Sequence, residues 1–198
     1  PIKNQTAIDI LVKNFSKSGF NQLFVSINYK SKIMKAYFDE KSFNIKIKFI
    51  EEKKPLGTVG CLGLINLNKY KHIVVSNCDI ICNFDYSQLL NFHYKEKNDL
   101  TLVCSSKDYQ IPYGVCEVDE KNKFIKLKEK PKFNFFINIG VYAINTKLLK
   151  LLEKNQRQDF DEFIKLIYKN KYKIGLYPIN PNLWYDVGVW NEYKKIFN

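Results

Sequence analysis

Two aspartates carry most of the chemistry this chain can offer. Asp79 lies in Ser76-Asn77-Cys78-Asp79-Ile80 and Asp186 in Trp184-Tyr185-Asp186-Val187-Gly188, with Glu129-Lys130-Pro131 between them. Mg²⁺ typically takes one or two carboxylates plus substrate phosphates, so two aspartates suffice if they converge. A lysine beside them supplies a point charge for a phosphate. A metal held this way suits phosphoryl or nucleotidyl transfer. Each residue also has a plain reading. Strand-end aspartates are often turn or cap residues, and Lys130 is one lysine among many. Spacing does not show whether the carboxylates meet.

Neighbouring residues extend the pattern. Pro131 biases Lys130 toward an extended backbone. Glu129 can accept hydrogen bonds from sugar hydroxyls or simply be solvated. Gly188 permits a tight turn or close ligand approach. Pro55-Leu56-Gly57-Thr58-Val59-Gly60 reads as a loop opening a helix, whose first N–H groups are free for an anion or a nucleobase edge. It lacks the G-K-S/T of a Walker loop. The only histidines, His72 and His93, have no serine or cysteine partner in a triad-like arrangement. Five cysteines, odd in number and without a C-x-x-C pair, argue against a disulfide framework or zinc knuckle.

The elements that must position these residues alternate. Thr6 caps a helix running to Gly19, with Asp9 three residues on and Ile8, Leu11, Val12 and Phe15 at helical spacing. Strands are expected at 23–27, 45–50, 72–76 and 100–104. Helices are expected from Ser31, acting as cap, to Phe38, and after Asp85. Asp79 falls just past the carboxyl end of an apolar strand, where α/β sheets bind ligands. A hairpin follows (115–118 and 124–127, joined by Asp119-Glu120-Lys121-Asn122), then a long β run at 135–144. Helical stretches at 147–152 and 161–168, strands at 174–177 and 184–186, and a closing helix from Trp190 complete the pattern. The fold class is α/β, a mixed sheet flanked by helices with an inserted β-hairpin, in one domain spanning residues 1–198.

Composition narrows the function. The chain has 198 residues, 45% of them hydrophobic, enough for a sizeable core. It shows neither an apolar run of membrane-spanning length nor a signal-peptide pattern, so a cytoplasmic protein is the default. The net charge of +12 invites a nucleic-acid reading. However, Arg157 is the sole arginine, the lysines are dispersed, and base-edge recognition favours the guanidinium fork. A solvated lysine surface that also attracts anionic substrates fits better.

Taken in order, these segments resemble the sugar-1-phosphate nucleotidyltransferase (nucleotide-sugar pyrophosphorylase) family. Pro55–Gly60 is similar to its P-L-G-T-A-G base-binding loop, with Val59 in place of alanine. Asn77-Cys78-Asp79 resembles its metal motif. Tyr113-Gly114-Val115, Glu129-Lys130-Pro131, Asn138-Ile139-Gly140-Val141-Tyr142 and Trp184–Gly188 follow in the family's order. The resemblance implies a Rossmann-like nucleotide-diphospho-sugar transferase fold. It implies Mg²⁺ on Asp79 and Asp186, and Lys130 on the sugar phosphate. It also implies a sugar pocket of Gly114, Glu129, Asn138 and Gly140, with Gly57, Thr58 and Asn77 at the nucleotide. The substrates would be a nucleoside triphosphate, GTP favoured, and a sugar-1-phosphate. The product would be a nucleotide-sugar for surface-glycan or nonulosonic-acid synthesis. A homo-oligomer is compatible with this; nucleic-acid and membrane partners are not expected.

One departure stands out. The family opens with a strand and the loop G-x-G-x-R-L-x-P-x-T-x-x-x-P-K around the triphosphate, and no segment here matches it. The expectation is therefore a domain incomplete at its N-terminus, lacking its first strand and inactive on its own. Two other readings remain open at this stage. One is a non-catalytic sugar-phosphate-binding or regulatory module. The other is a nucleotide-sugar-dependent glycosyltransferase, which would want a D-x-D motif where Asn77-Cys78-Asp79 supplies one carboxylate.

Overall fold

A computed structural model describes residues 5–189. The elements run α1 (Ala7–Lys17), β1 (Gln22–Ile27), α2 (Ser31–Asp39), β2 (Lys46–Glu51), α3 (Gly57–Gly60), β3 (His72–Ser76), β4 (Ile80–Cys82), α4 (Tyr86–Lys95), β5 (Leu100–Gln110), β6 (Val115–Val118), β7 (Phe124–Lys128), β8 (Lys132–Asn145), α5 (Phe160–Lys169), β9 (Ile174–Ile179) and β10 (Trp184–Asp186). The expected α/β architecture is present. The closing helix expected from Trp190 lies outside the described residues.

The central sheet has the order β3-β8-β5-β9. β8 runs antiparallel to both neighbours and β9 runs parallel to β5, so the sheet is mixed. Alternation along β8 sends its side chains to two cores. Ile139, Val141 and Ala143 join Leu11, Val12 and Phe15 of α1, Phe38 of α2 and Tyr86 and Leu89 of α4. Tyr142 and Ile144 join Val59, Leu148 and, from α5, Phe160, Phe163 and Ile167. Helices therefore cover both faces.

β1 and β2 form a separate parallel pair. Among the described residues, no ladder joins β1 to β3. All five residues of β3 are only partly buried, whereas six consecutive residues of β8, Ile139–Ile144, are buried. Beyond the sheet, β5 and the start of β8 continue as a long two-stranded arm, with Gln110 paired to Lys132. The hairpin β6–β7 sits at its end. No helix among the described residues is long and apolar enough to cross a membrane.

Local chemistry accounts for the element ends, with two corrections. Thr6 and Asp9 form the expected capping box. Asp9 is buried. Its desolvation is outweighed by the Thr6 N–H, the Tyr37 hydroxyl and the Lys41 ammonium, which hold its carboxyl below the ordinary 3.8. Ser31 is not a cap: Lys30 occupies that position in the left-handed region, without a side-chain bond. The 147–152 stretch is a 3₁₀ helix over Thr146–Leu151, started by the Asn145 side chain, which accepts from the Lys147 N–H.

Candidate active site

Asp79 and Asp186 converge because of a strand that sequence reading missed. β4 begins directly after Asp79 and pairs antiparallel with β10, setting Ile80 opposite Asp186. The Val187 N–H then donates to the Asp79 carbonyl at 2.9 Å, and the Gly188 N–H to Asp186 Oδ1 at 2.9 Å. A Cβ on Gly188 would lie 3.1 Å from Asp186 Oδ1 and 3.3 Å from Asp79 Oδ2. The two oxygens thus flank one small space that the missing side chain leaves open. Asp79 is exposed and Asp186 partly buried. Among the described residues no cluster of three or more acidic, histidine or cysteine side chains could hold a metal. Two carboxylates and open space suit a cation that draws its remaining ligands from substrate phosphates and water, as Mg²⁺ does.

A second group adjoins them. The Asn77 N–H donates to the Gly140 carbonyl at 3.0 Å, and the Gly140 N–H donates to Asn138 Oδ1 at 3.1 Å. Asn138 Nδ2 reaches the Tyr142 hydroxyl at 2.7 Å. Gly140 has φ +81°, and a Cβ there would meet Asn77 Nδ2 at 2.7 Å. Glycine is thus needed both for the backbone conformation and for the close approach.

Tyr142 carries this network to the glycine loop. Its ring stacks on Phe160 at 3.7 Å, and the Phe160 N–H donates to Thr58 Oγ1 at 2.9 Å. Three of the loop's N–H groups, those of Thr58, Val59 and Gly60, are not free, contrary to the expectation from sequence. The Thr58 N–H is taken by Asp159 Oδ1 at 2.9 Å. The Val59 and Gly60 N–H groups go to the Gln158 carbonyl at 3.2 and 3.3 Å. Asp159 is held below its ordinary carboxylate value chiefly by the Thr58 N–H. Gly57 has φ +77°, and a Cβ there would come within 2.5 Å of the Gln158 carbonyl oxygen. Asp159 was the overlooked residue. Its signal was Asp159-x-x-Glu162 ahead of an apolar run, a helix-start pattern.

The remaining candidates stand apart. Gly114 is followed by Val115, which pairs with Lys128, so Glu129 falls opposite the glycine. A Cβ on Gly114 would lie 3.1 Å from Glu129 Oε2. Lys130 Nζ lies 3.8 Å from Glu129 Oε1, both side chains exposed. No hydrogen bond or ion pair among the described residues joins this group to the aspartates. Lys130 is also not extended: its φ is +43°. Only residues 129–131 separate β7 from β8, and the reversal they must make overrides the preference imposed by Pro131.

Burial pushes the Cys82 thiol up to about 12 and raises Cys61 and Cys104 as well, which keeps them in the unreactive thiol form.

The chain spans about half the length of the first curated relatives it matches. Mannose-1-phosphate guanylyltransferase catalytic subunit beta of Dictyostelium discoideum is 33% identical over 157 residues, covering 76% of this chain and 44% of that protein. Mannose-1-phosphate guanyltransferase of Pichia angusta is 30% identical, covering 89% and 50%. D-glycero-alpha-D-manno-heptose 1-phosphate guanylyltransferase of Campylobacter jejuni is 26% identical over 98% of this chain and 85% of its own length. The crystal structure of HddC from Yersinia pseudotuberculosis superposes with a TM-score of 0.74 at 22% identity, covering 99% of this chain and 86% of that one. The nucleotidyl transferase family model matches residues 1–198. With the motif order, the mixed sheet and these matches in agreement, the chain belongs to the nucleotidyl transferase family.

Proposed function

We propose that this domain transfers GMP from GTP to a sugar-1-phosphate of the manno-hexose or manno-heptose class. The observation that carries the proposal is the meeting of Asp79 and Asp186 across Gly188. The base and sugar follow from the names of the relatives, which are mannose- and heptose-1-phosphate guanylyltransferases. One related HddC structure is described as complexed with GMP-PN.

In the proposed reaction an oxygen of the sugar phosphate attacks the α-phosphorus of GTP. A new P–O bond forms, the bond to the β-phosphate oxygen breaks, and pyrophosphate leaves. The attacking phosphate is already anionic, so no protein nucleophile or strong base is required, and the work is positioning and charge neutralisation. Asp79 and Asp186 would hold Mg²⁺, which supplies Lewis-acid charge neutralisation at the phosphates. Asn138 and Gly140 would position the sugar, and Thr58, held on Asp159, would position the nucleotide. From the hairpin end, Lys130 would meet the sugar phosphate and Glu129 the sugar hydroxyls.

Pyrophosphate release tests the proposal, measured on the polypeptide that carries this domain with each triphosphate and a panel of sugar-1-phosphates. Release with GTP and a manno-configured sugar phosphate, dependent on Mg²⁺, is expected. Equal rates with all four triphosphates would refute the guanine assignment, and release of a nucleoside diphosphate instead would point to glycosyl transfer.

A further inference from the structure

β8 carries a bulge beside the candidate site. Leu102 of β5 pairs with Tyr142 and Cys104 with Asn138, so Val103 alone stands opposite residues 139–141. Gly140, at φ +81°, is the middle residue of the bulge. In a regular strand, residues four apart lie about 13 Å from one another. The bulge closes that span, and Asn138 Nδ2 donates to the Tyr142 hydroxyl at 2.7 Å. Bulges of this kind re-aim side chains next to active sites. Asn138 is exposed, whereas Tyr142 is buried in the core shared with α5. The Tyr142 ring is held in place by Phe160, to which it lies parallel within 9°. Burial raises its hydroxyl above the ordinary 10.0, so the group stays neutral.

We infer that Tyr142 is a positioning residue: its hydroxyl, brought to Asn138 by the bulge, sets the Asn138 amide so that one N–H is offered to the sugar phosphate. For the identity of that ligand the inference rests on the proposed reaction. Donor and acceptor roles fix the amide's orientation. The Gly140 N–H can only donate, so the Asn138 atom 3.1 Å from it must be the oxygen. The nitrogen then points to Tyr142. An amide nitrogen carries two hydrogens. One is spent on Tyr142, and the other is left for an accepting oxygen of the ligand. Without the hydroxyl, the Gly140 contact alone would hold the amide of an exposed side chain. Packing gives no comparable reason for a tyrosine. Phenylalanine would keep the stack on Phe160 and the contacts with the surrounding core. A hydroxyl carried into an apolar core costs desolvation unless it is bonded, and here the bond goes to Asn138.

Steady-state pyrophosphate release tests this on the polypeptide that carries the domain, with GTP and mannose 1-phosphate. Tyr142→Phe keeps the ring and removes one hydrogen bond. KM for mannose 1-phosphate should rise about 3–10-fold, the worth of one neutral hydrogen bond, while kcat and KM for GTP stay within about twofold. In an Asn138→Ala background the same exchange should add less than about twofold, because the group it positions is gone. A purely structural role predicts comparable losses with both substrates, additive with Asn138→Ala. Either of those results, or an unchanged KM in Tyr142→Phe, overturns the inference. A second measurement needs neither a variant nor turnover. In the side-chain amide NMR spectrum of the unaltered, isotope-labelled polypeptide, the two Asn138 protons should behave differently. One should exchange slowly with water, held by Tyr142, and the other should shift on titration with mannose 1-phosphate. A titration that moves neither proton overturns the inference. Absence of pyrophosphate release from the unaltered polypeptide would instead sink the proposed reaction, and the titration would then decide the role of Tyr142.

Discussion

Gly140 and the two aspartates show what single residues contribute here. Replacing Gly140 by alanine forces a side chain into a left-handed position and against Asn77. A loss of roughly 1–3 kcal/mol is expected, read by urea unfolding, together with weaker nucleotide binding as Asn77 shifts. Asp79→Asn and Asp186→Asn should each lower the rate of pyrophosphate release by about 10²-fold or more while leaving unfolding midpoints nearly unchanged. Full activity in both variants would remove the proposed metal site. The types of these residues were legible in sequence, as was their order. Their meeting was not, because it depends on β4, three residues long and too short to show a periodicity. The free amides expected at the glycine loop failed for a similar reason: their acceptors, Gln158 and Asp159, lie about a hundred positions away.

Pairs of elements carry the next level of sensitivity. His72 on β3 and His93 on α4 meet at 2.9 Å, and His93 also meets Thr101 of β5 at 2.8 Å. Burial lowers His93 to about 4, and it lowers His72 too. The folded pair is therefore neutral, while an unfolded histidine takes up a proton below its ordinary 6.5. The unfolded state binds more protons between these values, so stability rises with pH across that window. It is complete above 6.5 and is lost as pH falls toward 4. The loss from His93 amounts to about 3 kcal/mol at the acid end. Urea unfolding from pH 4 to 7 checks this, and His93→Gln should flatten the slope. Asp9 acts lower: its stabilisation is present above the ordinary carboxylate value and disappears only as pH falls through its depressed one. In the same way Asp159→Ala, which strands the Thr58 N–H, should cost about 1–2 kcal/mol and loosen the α3–α5 junction. Most of these elements could be read from apolar periodicity and caps. The exceptions were set by their surroundings. Lys130 turns left-handed because β7 and β8 are three residues apart, and the stretch after β8 tightens to a 3₁₀ helix.

At the scale of the described molecule, two cores on the faces of the four-stranded sheet organise the fold, and the alternation that builds them is written plainly in β8. The arm is different. Phe124 and Ile125 of its hairpin are 67% and 61% exposed. Exchanging both for serine should change stability by no more than about 0.5 kcal/mol, since little burial is lost. A larger drop would mean that this surface is covered in solution. Which edges stay unpaired required the three-dimensional arrangement. The ladder between β4 and β10 has a last consequence. It is only three residues long, yet it ties position 79 to position 186. A divalent ion gripping both carboxylates would be a non-covalent crosslink closing a loop of more than a hundred residues, comparable in span to a long-range disulfide. Such an ion favours the folded ensemble by mass action, so the melting temperature should climb with Mg²⁺ concentration even when no substrate is present. In Asp186→Asn that climb should vanish.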